Sequence, residues 1–306
     1  MDWKGVMPAI TTSFDNAGGV DHGFLAAHCR WLLTNGCSGI VALGSLGEGA
    51  TLAYPEKVAV LETCVRAVSG SAPVVAAIAG LATEETVRLA KAAQGIGCDG
   101  LMVLPPYVYR GSWDEMKAHV MAIFRATRLS CMLYNNPVAY GTDFLPGQIA
   151  ELAAENQNLH AVKESSADVR RISALRALLG ERLKILVGVD DAIVEGIAAG
   201  AVGWIAGLAN AMPRESVALF DLANNGENRK AFEIYRWFLP LLKMDTVPKF
   251  VQLIKLVQAE CGVGSARVRA PRRELTGEER TLALETIQVA LRNRPERIAS
   301  IGRPEL

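Results

Sequence analysis

The 306-residue sequence predicts an α/β fold, a (β/α)8 TIM barrel with a C-terminal helical extension, on three observations. Eight short apolar runs alternate with amphipathic stretches between residues 5 and 209. A small-residue Gly-x-x-Gly turn recurs ahead of the apolar runs, in "NGCSGIVAL", "IGCDGLMVL" and "AGAVGWIAG". No Gly-x-Gly-x-x-Gly follows the first run, which argues against an open dinucleotide-binding sheet.

The elements follow in order. "GVMPAIT" (5–11), "GIVALG" (39–44), "PVVAAIAG" (73–80) and "GLMVLPP" (100–106) are the first four strands. "CMLYNNP" (131–137), "LHAVKES" (159–165), "LKILVGVD" (183–190) and "GWIAGLA" (203–209) complete the eight. Continuous apolar runs of this length suit strands covered on both faces, as the barrel wall is. Helices are expected over 55–69, 83–95, 113–127 and 168–179, opened by Pro55, Thr83, Ser112 and Asp168. The recurrent glycine turn ends a helix and feeds the next strand. Residues 213–295 keep a helical period, more than one closing helix needs. The expected division is a barrel over 1–225 and a helical region over 226–306 packed on it.

Lys plus Arg and Asp plus Glu both number 32, so there is no global electrostatic case for nucleic acid. The Arg-rich "ARVRAPRRE" (266–274) reads as a solvated loop before a helix. Every apolar run breaks short of membrane-spanning length, and the N-terminus lacks signal-peptide anatomy. Six cysteines without paired spacing suit a reducing compartment, and four scattered histidines offer no metal-ligand spacing. The expectation is a soluble cytoplasmic protein that binds no membrane and shows no metal-ligand spacing.

In such a barrel the active site lies at the C-terminal strand ends. There the sequence places "GSLGEGATL", "PPYVYRG", "YNNP", "KESS", "GVDD" and "AGLAN", with glycines, hydroxyls, a tyrosine and a lysine. Lys163 ends an apolar strand, where burial favours a neutral, nucleophilic amine suited to a Schiff base with a ketone. Tyr134 closes the preceding strand and is placed to move protons. The glycine-flanked turn 44–48 offers backbone N–H groups to a carboxylate. Singly, each has a structural reading: a solvated strand lysine, a core tyrosine, an ordinary turn, and Asp190 and Asp191 as helix caps. Their convergence on one barrel end points to a site.

"GSLGEGATL" (44–52), "YNNP" (134–137) and "VKESS" (162–166), in this order and spacing, resemble signatures of the dihydrodipicolinate synthase/N-acetylneuraminate lyase family. The resemblance runs from about residue 4 to residue 265. It implies class I aldolase chemistry on 2-oxo acids, no cofactor, and a homotetramer built as a dimer of dimers. By that resemblance Lys163 is the Schiff-base lysine, Tyr134 the proton-relay tyrosine, and Ser45 the hydroxyl that links to it and helps bind the carboxylate. Gly44 and Gly47 keep the turn, Leu46 replaces a second hydroxyl residue, and Ile205 lines the site beneath the imine. Glu48 reads as a buried structural carboxylate holding the turn.

Two departures bear on substrate. The dihydrodipicolinate synthases have an arginine where Ala139 stands, and a tyrosine lent across the dimer interface where Val108 stands. Both departures argue against a dihydrodipicolinate synthase proper and favour a small, less polar substrate. The first-ranked reaction is the dehydrative deamination of 1-pyrroline-4-hydroxy-2-carboxylate, a step of hydroxyproline breakdown. The alternatives are an aldolase or dehydratase of a 2-keto-3-deoxy sugar acid or N-acetylneuraminate-like substrate giving pyruvate, dihydrodipicolinate synthase itself, and a non-catalytic barrel that binds a 2-oxo acid.

Overall fold

The structure, a computed structural model, describes residues 1–295. Residues 296–306 of the expected C-terminal region lie outside the described residues. Eight strands form one parallel sheet: β1 (Gly5–Pro8), β2 (Ile40–Ala42), β3 (Val74–Ile78), β4 (Gly100–Val103), β5 (Ser130–Asn135), β6 (Leu159–Glu164), β7 (Lys184–Val187) and β8 (Gly203–Ala206). From β2 to β8 each strand pairs with the next in sequence, and β1 pairs with β8 in the register Met7↔Ile205. The β1 and β2 ends meet through the parallel Ala9↔Val41 bridge and the 2.9 Å bond from Ile10 N to Val41 O, which closes the barrel.

Helices lie between the strands because the amphipathic stretches can bury one face only against the barrel. They are α1 (His22–Thr34), α2 (Tyr54–Val68), α3 (Thr83–Ile96), α4 (Trp113–Arg125), α5 (Pro137–Tyr140), α6 (Pro146–Glu155), α7 (Arg170–Leu179), α8 (Ile193–Ala198) and α9 (Pro213–Asn224). Ser112 and Pro55 act as read, whereas Thr83 is the first residue of α3 and bonds His119 Nδ1 at 2.9 Å instead of capping. Ser112 caps α4 in a reciprocal box with Glu115, and Pro55 sits in the first turn of α2. Asp168 accepts from Arg170 N at 3.1 Å where α7 begins.

Every strand ends short of the run read for it, and one of these endings shapes the site. The strand read over 131–137 stops at Asn135, and Pro137 begins the four-residue α5. Asn136 caps it, its Oδ1 accepting from Ala139 N at 2.9 Å, and Gly141 ends it with φ +73°. This turn swings Tyr140 back toward the barrel mouth.

Beyond α9, α10 (Asn228–Leu242), α11 (Phe250–Glu260) and α12 (Gly277–Arg292) pack on one another and on the barrel. Phe238, Leu241 and Leu242 are fully buried there, and Trp237 Nε1 donates to Ala290 O at 2.8 Å, joining α10 to α12. No helix among the described residues is long and apolar enough to cross a membrane.

Candidate active site

Strand register sets the centre of the site. Tyr134 on β5 and Lys163 on β6 are direct partners, and the lysine Nζ lies over the tyrosine ring, 4.1 Å from its centroid. Lys163 is 6% exposed, so it is not the solvated edge residue of the bland reading. Burial depresses its pKa below the ordinary lysine value, opposed by Asp245, Tyr140 and Asp190. The amine is thereby more available as a nucleophile at neutral pH than a surface lysine. Room for it comes from β7: a Cβ on Gly188 would fall 2.4 Å from Lys163 Cε and 2.0 Å from Ser165 Oγ.

The hydroxyls come from three segments. Tyr134 is buried, its OH accepts from Asn136 Nδ2 at 3.0 Å, and burial raises its pKa. Tyr140 hydrogen-bonds Ser45 Oγ and sets its ring edge-on to Tyr134, with centroids 5.8 Å apart. Tyr107 also packs against the Tyr140 ring, with centroids 6.0 Å apart.

The turn after β2 is held from behind. Glu48 is in the left-handed region (φ +54°), and its carboxylate is fully buried. It accepts from Lys255 Nζ at 2.5 Å and Arg269 N at 2.9 Å, while Lys255 also donates to Thr12 O and Arg267 O at 2.7 Å each. Gly47 and Gly49 are required by close approach, since a Cβ would meet Ile10 O at 2.8 Å and Leu43 O at 2.1 Å. Glu48 N and Gly49 N bond back to Ser45 O and Gly44 O. The Ser45 and Leu46 N–H groups have no acceptor among the described residues, the disposition a substrate carboxylate needs.

Two carboxyls complete the mouth. Asp190 does not simply cap a helix: it accepts from Trp204 Nε1 at 2.8 Å, Gly207 N at 3.1 Å and Leu208 N at 2.8 Å, bracing the exit of β8. Burial nonetheless pushes its pKa up to about 6. Asp245 arrives from the turn after α10, half-buried by area, with its carboxyl lying over Gly207, where an added Cβ would be 2.1 Å from Oδ1. Burial, then Asp190, holds its pKa well above the usual carboxylate value.

The structure therefore brings Lys163, Tyr134, Ser45 and the 44–48 turn to one end of the barrel, with Leu46 and Ile205 buried beside it. It leaves Val108 68% exposed and Ala139 exposed on the rim. Sequence reasoning missed Tyr140, Asp245 and Gly188. The signal for Tyr140 was local, in the Asn136 cap, Pro137 and Gly141. Asp245 had none, because it is far along the chain from every strand end.

Fold and site define a barrel with a buried lysine amine among hydroxyls, the arrangement of a Schiff-base lyase. The chain belongs to the dihydrodipicolinate synthetase family, whose profile matches residues 2–290, and whose members are class I aldolase-type lyases acting through a lysine Schiff base. It is 31% identical over 280 residues to the 4-hydroxy-tetrahydrodipicolinate synthase of Methanocaldococcus jannaschii, covering 92% of this chain and 96% of that one. It is 33% identical over 273 residues to the synthase of Geotalea daltonii, covering 88% and 92%. The solved 4-hydroxy-tetrahydrodipicolinate synthase of Methylacidiphilum fumariolicum SolV superposes with TM-score 0.91 at 28% identity, over 98% of each chain.

These relatives overturn the reading that the chain is not a dihydrodipicolinate synthase proper, drawn from Ala139 and Val108. The structure supplies the physical reason. A Cβ on Gly141, two residues past Ala139, would meet Arg110 Nε at 2.8 Å, so a guanidinium already stands on that part of the rim. A phenol likewise reaches the site from Tyr140 although Val108 carries none. A side chain missing at one position therefore does not show that a similar group is missing from the rim.

Proposed function

We propose that Lys163 forms an imine with the ketone of pyruvate, and that the derived enamine condenses with a four-carbon amino semialdehyde. That is the reaction type of the 4-hydroxy-tetrahydrodipicolinate synthases to which the chain is similar. The observation that carries it is the buried Lys163 amine lying over Tyr134 at 4.1 Å, with its pKa depressed. The neutral amine attacks the carbonyl carbon, and the carbinolamine expels its hydroxyl as water once a proton is delivered to it. Tyr134 is the nearest phenol for that proton and for removing one from the methyl carbon to give the enamine. The substrate carboxylate is held by the Ser45 and Leu46 N–H groups and the Ser45 hydroxyl. A homotetramer of cytoplasmic subunits is the assembly this reading carries.

A second reading, dehydrative deamination of 1-pyrroline-4-hydroxy-2-carboxylate, is favoured by Asp245. Loss of a substrate hydroxyl needs an acid, and a carboxyl with a raised pKa stands over Gly207 at the mouth. The uncharged Ala139 and Leu46 suit its smaller substrate.

The test is borohydride reduction with pyruvate, followed by peptide mass spectrometry. A stable adduct on the Lys163 peptide is expected, and its absence overturns the Schiff-base reading. Substrate choice is then read by assaying the condensation product beside semialdehyde release from the hydroxypyrroline acid and pyruvate release from sugar acids. Semialdehyde release without condensation would replace the first reading by the second.

A further inference from the structure

The buried Tyr134 poses a problem for any reaction that passes protons through it. Its side chain is buried, and its OH receives a hydrogen bond from Asn136 Nδ2, an amide that cannot take up a proton. A relay needs a titratable hydroxyl between this phenol and bulk water. Tyr140 is so placed. It is half-buried on the rim, its OH bonds Ser45 Oγ, and its ring abuts Tyr134. Its position is over-determined. Asn136 both donates to Tyr134 OH and caps α5 through Ala139 N, so one amide sets the spacing of the two phenols. Tyr107 packs against the Tyr140 ring.

We propose that Tyr140 is a positioning and relay residue, carrying protons between Tyr134 and solvent through the Ser45–Tyr140 hydroxyl pair, so that one chain supplies the whole relay. The inference rests on the Schiff-base reading above. In imine formation, the attacking amine loses a proton to the relay and the carbinolamine hydroxyl receives one as it leaves as water, so the relay returns to its starting state. A substrate hydroxyl or aldehyde oxygen is protonated by the same route. Tyr140 touches no reacting atom; it acts through Tyr134 and Ser45.

The experiment compares wild type, Tyr140→Phe, Ser45→Ala and the double variant. It measures the rate of borohydride-trappable imine formation with pyruvate, the pyruvate concentration at half-saturation, and the pH profile of that rate. Tyr140→Phe keeps the ring, and an unchanged melting temperature confirms that packing is intact. The expected result is a fall of about 10²-fold in the imine rate, in the range of general acid–base contributions, with half-saturation shifted less than threefold and an altered pH profile. The double variant should be no slower than the worse single variant, because members of one relay are non-additive. A Tyr140→Phe variant that forms imine at the wild-type rate overturns the proposal, as does strict additivity with Ser45→Ala. Wild type that traps no pyruvate at all defeats the underlying Schiff-base reading instead, so the two failures are distinguishable.

Discussion

Gly188→Ala isolates the geometry of the nucleophile from its chemistry. Gly188 is not among the residues with positive φ, so alanine is compatible with its backbone, and its N–H to Glu164 O bond at 3.0 Å is retained. The new methyl would fall 2.0 Å from Ser165 Oγ, 2.4 Å from Lys163 Cε and 2.7 Å from Lys163 Cγ. Carbon atoms settle at roughly 3.5–4 Å, so the lysine must recede by about an ångström. Overpacking of this kind costs about 1–3 kcal/mol of stability, which a chain of this size survives. A displacement of about 1 Å at a reacting group costs catalysis on the order of 10²-fold. The assays are kcat/KM, the rate of pyruvate trapping by borohydride, and a thermal melt. The expected outcome is a folded protein whose trapping rate has dropped by about two orders of magnitude. A folded variant that traps pyruvate within threefold of wild type would refute the placement of Lys163 as the attacking amine.

Asp245→Asn tests the electrostatics of the same amine. Burial lowers the Lys163 pKa and Asp245 opposes that, so removing the carboxylate lowers it further. The amine reacts when neutral, and its rate rises as pH climbs through its pKa; the rising limb of the trapping rate should therefore move to lower pH, and an upward move contradicts the assignment. Lys255→Met leaves Glu48 buried without its 2.5 Å partner and should cost about 3–5 kcal/mol, read as a lower melting temperature. Adding Glu48→Gln to that variant should restore part of the loss, and a single variant as stable as wild type would show that the pair does not hold the turn.

Much of the molecule was legible because barrels repeat. Strand burial on both faces writes continuous apolar runs, helix caps write Ser112 and Pro55, and parallel neighbours in sequence become neighbours in space. Lys163 and Tyr134 were therefore placed side by side from strand order alone, and the register bears that adjacency out. The same reasoning failed where one position was taken for the whole rim. Ala139 was read as loss of a charge, yet Arg110 approaches the same turn from the β4–α4 connection. Side chains reach a barrel mouth from several loops, and a motif records only one of them.

The sequence by itself determined the fold, the end of the barrel where the candidate site gathers, and the motifs that carry the family resemblance, since these lie in the periodicity and in residues within a few positions of a strand end. Only the tertiary structure decided the environment of the amine. Gly188 makes its room, Asp245 comes from the helical extension to face it, and Lys255 with Glu48 pins the opposing turn across more than 200 positions of chain (|i−j| = 207). Local propensity acts over a turn or two of chain, whereas pKa and clearance depend on whatever atoms lie within a few ångströms. Those atoms are brought there by the fold.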